Sequence, residues 1–210
     1  MESIGTGLLL IILTLVFVIY VKANFPRWKG KVGESFVTEK LRDLDPAFYK
    51  IFTDVLLPSD GNIKTTQIDQ LVVSKYGIFC IETKNYSGWI FGSANQEYWT
   101  QVIYRNKERF YNPLWQNYAH TKAVEELLKE KYPKLRIYSL VAFPSADKIK
   151  VTGTDFVGYA SDVLEKIVSF NNIIFSDSEV EEICAILSSA DIKDEKSHEE
   201  HDKEAHRLND

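Results

Sequence analysis

Apolar residues follow three different rhythms along this chain. From Ile4 to Val21 the run IGTGLLLIILTLVFVIYV holds eighteen residues and no charge, close to the lower length limit of a membrane-spanning helix. It follows Met1-Glu2-Ser3, an acidic start rather than the basic one of an export signal. Lys22, Arg27, Lys29 and Lys31 come after it. Basic flanks stay on the cytoplasmic side. Residues 1–23 are therefore expected to be a transmembrane signal-anchor, single-pass, with the rest of the chain cytoplasmic. A cleaved signal ending near Ala23 is the competing reading. Pro26 is expected to break the helix, which leaves residues 24–29 as an interfacial linker.

The second rhythm is helical. Phe36, Val37, Leu41 and Leu44 give an apolar side to a helix over 33–44 that carries Glu34 in its first turn. Trp115, Ala119, Ala123, Leu127 and Leu128 do the same over 112–131, behind a proline turn. Two further helices are expected over 161–170 and 178–189. The third rhythm is that of strands: 49–57, 67–73, 78–84 and 135–143, with 88–91 and 98–103 extending the same sheet and a turn at 58–62. A helix preceding the strand at 135–143 suits a parallel crossover. Residues 105–109 read as a polar loop. Its Arg105, Lys107 and Arg109 are candidate phosphate contacts, with Tyr98, Tyr104 and Tyr111 nearby as bases' stacking partners. Trp99 reads as core.

Two of the strands, Gln67–Val73 and Ile78–Lys84, are joined by Ser74-Lys75-Tyr76-Gly77. A two-residue loop at Lys75-Tyr76 makes cross-strand partners sum to 151. Asp69 then faces Glu82, with Cβ atoms about 5 Å apart. Lys84 shares the face of Glu82, because side chains alternate along a strand. Facing carboxylates repel, and at low dielectric one of them keeps its proton. A divalent cation between them removes the conflict, and Lys84 offsets it less completely. Mg²⁺ (or Mn²⁺) takes such oxygen ligands. Asp69 and Glu82 are thus the expected metal ligands, and Lys84 a group that orients water or stabilises negative charge on a phosphate under attack. The bland alternative is a surface salt bridge. The apolar flanks on both strands argue against it, because unpaired charge is costly to bury.

These residues lie within a longer ordered series. Gly30-Lys31-Val32-Gly33-Glu34 precedes Gln67-Ile68-Asp69. After that come Gly77-Ile78-Phe79, then Ile81-Glu82-Thr83-Lys84-Asn85-Tyr86-Ser87-Gly88, then Trp99, and then Asn112-Pro113-Leu114-Trp115-Gln116-Asn117 with His120. The series resembles the nuclease-related domain, NERD, of the PD-(D/E)XK restriction-endonuclease-like superfamily, over roughly residues 30–145. The resemblance implies an α/β fold: a restriction-endonuclease-like core, a central mixed sheet flanked by helices. It also implies that Glu34, Asp69, Glu82, Lys84 and Gln116 converge, with Lys84, Glu34 and Gln116 catalytic, Mg²⁺ or Mn²⁺ as cofactor, and nucleic acid, in particular DNA, as substrate. Ile68 stands where the superfamily's proline would be. His120, four residues beyond Gln116, is taken as a structural histidine.

Composition narrows the picture only slightly. Of 210 residues 45% are hydrophobic, and the formal charge is −5. Residues 191–210 hold eight acids and four bases, which account for −4 and leave the body near neutral. That stretch is expected to be an acidic disordered tail, and its His198, His201 and His206 to be solvated. Residues 146–190 are expected to be a helical extension of the domain at 30–145. The two cysteines, Cys80 and Cys184, have no zinc or redox spacing and read as buried free thiols. The function expected is that of a membrane-anchored, metal-dependent nuclease. The alternative is a non-catalytic nucleic-acid-binding or scaffold module on the same fold.

Overall fold

The first helix, α1 (Glu2–Leu41), runs straight through the stretch expected to be a linker, with Pro26 inside it. A computed structural model describes residues 2–60, 64–133 and 135–209, with the backbone alone at 2–10, 23, 202 and 205–209. Part of the expected turn at 58–62 and the side chain of His206 therefore lie outside the described residues. Pro26 bends α1 instead of ending it: Ile11–Lys22 and Asn24–Leu41 meet at 43°. The bend falls near the carbonyl of Lys22, four residues before the proline, where the ring clashes and a helical hydrogen bond is lost. Among the described residues no single helix is long and apolar enough to cross a membrane, although this bent pair passes by length and composition. Glu34 consequently sits deep inside a long helix, not in a first turn, so the helix dipole does not explain it.

Five strands form the main sheet: β1 (Tyr49–Pro58), β2 (Thr65–Ser74), β3 (Gly77–Thr83), β7 (Ile137–Ala142) and β9 (Val157–Gly158), in the order β1-β2-β3-β7-β9. The first three pair antiparallel, and β3, β7 and β9 run parallel. Every residue of β3 is buried, as a strand covered on both faces requires. One face packs on α2 (Pro113–Leu128) and α4 (Asp177–Ala190) through Val124, Leu128, Ile183 and Leu187. The other packs on α1 and α3 (Ala160–Ser169) through Val37, Leu41, Val163 and Ile167. The fold is α/β, with mixed sheets flanked by helices.

Strands β4 (Gly88–Ser93) and β5 (Tyr98–Ile103) do not extend this sheet. With β6 (Asn106–Tyr111) and β8 (Ala146–Thr152) they make a second one, ordered β6-β5-β4-β8. The expected loop at 105–109 is mostly β6, and only Tyr104 and Arg105 make the turn. Trp99 lies in the core with Ile90, Val141 and Phe143, which joins the two sheets. Residues 146–190 begin with two strands before their helices. The stretch 191–209, expected to be a disordered tail, contains packed residues and a helix. Asp191 is buried and accepts the Leu56 N–H (3.0 Å), and Ile192 N–H donates to Leu56 O (2.9 Å). Helix α5 (Glu195–Asn209) follows, with His201 Nδ1 3.0 Å from Thr65 Oγ1.

Candidate active site

The β2–β3 hairpin has the register that its two-residue loop dictates: Ser74 pairs with Gly77, and the pairing continues to Gln70 with Ile81. One step further Asp69 comes opposite Glu82, and there the ladder opens. Thr83 N–H donates to Asp69 Oδ2 at 2.7 Å. On the other side of β2 the register places Asp54 opposite Asp69, between the pairs Thr53–Gln70 and Val55–Ile68. This pair does not form either, and Asp54 adopts φ +57. Asp54, Asp69 and Glu82 thus make one row of acids across three strands, and pairing fails on both sides of the middle one, as facing like charges favour.

Glu82 is almost sealed, its side chain 4% exposed. Its Oε1 is 2.8 Å from Lys84 Nζ, and its Oε2 is 3.1 Å from His120 Nε2. His120 Nδ1 in turn lies 2.6 Å from Thr66 Oγ1. A neutral ring with its proton on Nε2 satisfies both contacts, donating to Glu82 and accepting the threonine hydroxyl. Burial alone would raise the Glu82 pKa. The Lys84 ammonium and His120 outweigh it and hold the carboxyl down at about 2. Burial pulls the other way on Lys84, where Glu82 prevails and keeps the ammonium protonated. Asp69 differs. Burial, then the charges of Glu82 and Glu34, push its pKa well above the ordinary value, and the Thr83 N–H and Lys84 offset this only in part. Glu34 is also raised, by burial and then by Asp54 and Glu82.

Glu34 comes from α1, and Gln70 ties that helix to the hairpin. Gln70 Nε2 donates to Glu34 O (3.3 Å), while its Oε1 accepts the Thr83 hydroxyl (2.8 Å). Glu34 and Asp69 line a cavity of about 340 Å³ with Lys31, Arg42 and Asp54. Close approach of α1 depends on Gly33, where a Cβ would sit 2.5 Å from Asn85 Cβ. Alanine normally gains about 1 kcal/mol over glycine inside a helix, whereas overpacking costs about 1–3 kcal/mol. Gly33→Ala is therefore expected to lower the melting temperature instead of raising it. A thermal melt followed by circular dichroism measures this, and an unchanged or higher midpoint would show that α1 gives way freely.

The structure brings together four of the five expected residues: Glu34, Asp69, Glu82 and Lys84. Gln116 is half-buried in the first turn of α2 and has no part in the contacts joining them. The α2 residue that reaches Glu82 is His120, one turn later, a buried histidine bonded through both ring nitrogens that holds the carboxylate in place. The signal available was its position on the helix face of Gln116, at i+4. Asp54 was also missed, since its place beside Asp69 depends on the β1–β2 register.

The model of the nuclease-related domain, NERD, matches residues 29–144, more than half of the chain. The chain belongs to the NERD family. An uncharacterized protein of Bacillus anthracis is 35% identical over 207 residues, covering 98% of this chain and 97% of its own length. No solved structure matches. The NERD match takes in all five expected residues together with Asp54 and His120, and it indicates a nuclease-like function and a nucleic-acid substrate in general terms. NERD and related nuclease-like domains generally depend on divalent metal. Among the described residues of this one, no group of three or more His, Cys, Asp or Glu side chains is arranged to hold a metal ion.

Proposed function

We propose that this protein is a membrane-anchored, divalent-metal-dependent nuclease on a restriction-endonuclease-like core, hydrolysing phosphodiester bonds in DNA. The observation that carries the reading is the contrast between two adjacent acids. Glu82 is paired with the Lys84 ammonium and hydrogen-bonded by His120, while Asp69, beside it, is left with repulsion that Lys84 offsets only in part. The donor set fits a hard ion, because Asp69 and Glu34 present oxygens to an open cavity and each Glu82 oxygen keeps a second lone pair. Asp69 and Glu82 would hold Mg²⁺ or Mn²⁺, with Glu34 alongside. When bound, such an ion supplies charge to a phosphate oxygen and acidity to a coordinated water. Lys84 keeps its proton against Glu82 and presents positive charge to the negative charge that builds on phosphate under attack. His120 fixes the Glu82 carboxylate from the far side. Gln116 is assigned a hydrogen bond to water or substrate.

The anchor is the apolar part of α1. Ile11, Leu15, Phe17 and Ile19 are all more than half exposed, the state of side chains that lack their solvent partner. Lys22, Arg27, Lys29 and Lys31 then keep the nuclease domain cytoplasmic.

Purified full-length protein in detergent is expected to nick supercoiled plasmid with Mg²⁺ or Mn²⁺ and to stop when EDTA is added. Retention of DNA in a mobility shift, with no cleavage under either ion, would replace this reading with that of a binding module. The lack of a ready-made metal cluster among the described residues is the observation on that side.

A further inference from the structure

The outer face of the second sheet has an order that the nuclease site does not use. Side chains alternate, so Trp89 and Phe91 of β4 share one face. Pairing extends their rows across all four strands. Trp89 is flanked by Val102 and then Lys107 on one side, and by Lys148 on the other. Phe91 is flanked by Thr100 and then Arg109 on one side, and by Lys150 on the other. Two neighbouring aromatic rings thus lie in the middle of the sheet, with a pair of cations along each edge. Trp89 is 44% exposed, and all four cations are exposed. Lys150 Nζ lies 4.9 Å from the Trp89 ring centre and 5.3 Å from that of Phe91, and Lys148 Nζ lies 5.3 Å from Trp89. At the rim Arg109 covers Tyr98 at 4.7 Å.

We propose that this face binds single-stranded nucleic acid, with bases stacked on Trp89 and Phe91 and phosphates held by Lys107, Arg109, Lys148 and Lys150. A base offers a π-face whatever its identity, so paired aromatics between rows of cations form a platform for unpaired strands. A duplex keeps its bases stacked on one another, and a flat sheet cannot reach them. The lysines now lying over the rings are the groups that phosphates would draw aside as bases replace them. Tyr104 adds a further surface. It is 98% exposed at the β5–β6 turn with φ +54, a conformation that is costly for a bulky residue, and it lines the same cavity of about 960 Å³ as Trp89 and Phe91. That cavity is also lined by one acid, Asp147, and one of the four cations, Lys107.

The proposal rests on the nuclease reading for the use of the bound strand, and it names the form of that substrate. Trp89 lies five residues beyond Lys84, hence at most about 18 Å away along the chain. A strand held on the platform is a few nucleotides from the acids.

Binding separates the two ideas, because it can be measured with EDTA present and no cleavage. Full-length protein in detergent is titrated into a fluorescently labelled twenty-nucleotide oligo(dT) and into a labelled duplex of equal length, with anisotropy and tryptophan quenching recorded. The single strand is expected to bind at least ten-fold more tightly. Trp89→Ala and Phe91→Ala should each weaken it by roughly five- to a hundred-fold. Lys148→Gln with Lys150→Gln should weaken it and flatten its salt dependence. Because Trp89 and the lysines are exposed, circular dichroism spectra are expected to stay unchanged. Equal affinity for strand and duplex, indifferent to Trp89→Ala, would overturn the proposal even if the protein cleaves DNA. Trp89-dependent binding to phosphatidylserine vesicles, with none to oligo(dT), would also overturn it and make the face a lipid contact. Tight binding of single strands by a protein that never cleaves would sustain the platform and remove the nuclease.

Discussion

Asp69→Asn is expected to raise the melting temperature of the cation-free protein while removing its DNA cleavage. The raised Asp69 pKa means that the folded protein binds this proton more tightly than the unfolded chain does. Stability from this group is therefore greatest below the ordinary carboxylate value and is lost as pH rises through the raised one. Glu82 behaves in the opposite way. With its pKa held at about 2, its contribution is complete above the ordinary carboxylate range and is lost only as pH falls toward 2. At neutral pH the cation-free protein thus carries a destabilising Asp69 beside a stabilising Glu82. Asparagine has nearly the same shape, accepts the Thr83 N–H and carries no charge. Relief of this kind typically amounts to about 1 kcal/mol, or roughly 2–4 °C for a chain of this size. Loss of the ligand should lower cleavage by about a hundred-fold or more. Thermal melts at pH 5 and pH 8, with and without Mg²⁺, measure the first effect. The gain should be larger at pH 8 and should vanish when Mg²⁺ stabilises the parent protein. A drop in melting temperature at both pH values would mean that Asp69 is not held under repulsion.

Lys84→Met should produce the opposite combination, with stability and cleavage lost together. Glu82 is buried between two partners, and this substitution removes the charged one. Leaving a buried charge unpaired costs about 3–5 kcal/mol, and the remaining His120 contact places the expectation near 3 kcal/mol, a fall of roughly 6–12 °C. Adding Glu82→Gln removes the stranded charge, so the double variant is expected to regain much of the lost stability. Cleavage should return in neither protein, since the ammonium is absent from both. A single variant as stable as the parent would show that the Lys84–Glu82 pair is not a buried ion pair. A double variant that recovers cleavage would take Lys84 out of the chemistry.

The site was legible in the sequence wherever local geometry decides the outcome. Ser74-Lys75-Tyr76-Gly77 fixes the hairpin register through a two-residue loop, and that register brings Asp69 level with Glu82 and sets Lys84 beside it. What the sequence concealed depends on distant partners. Strand β4 pairs with β8, which lies more than fifty residues later, and so it joins a second sheet in place of extending the first. His120 gains its meaning from the crossover that lays α2 over β3, and Asp54 from the β1–β2 register. Pro26 marks a bend and not an end because the helix continues into the packed stretch around Val37 and Leu41. The tail is held in part by a buried carboxylate, Asp191, which composition averaged over twenty residues conceals.

The two sheets are interleaved along the chain. The second sheet starts after β3 and is completed by β8, which comes after the main sheet has taken up β7 and before it receives β9. A polypeptide ending at residue 145 would lack an outer strand from both sheets at once, leaving β4 and β7 with bare edges. Each sheet is thus completed only by chain that lies beyond part of the other. Unfolding should be a single concerted event, and the stretch that carries the acids has no smaller autonomous half.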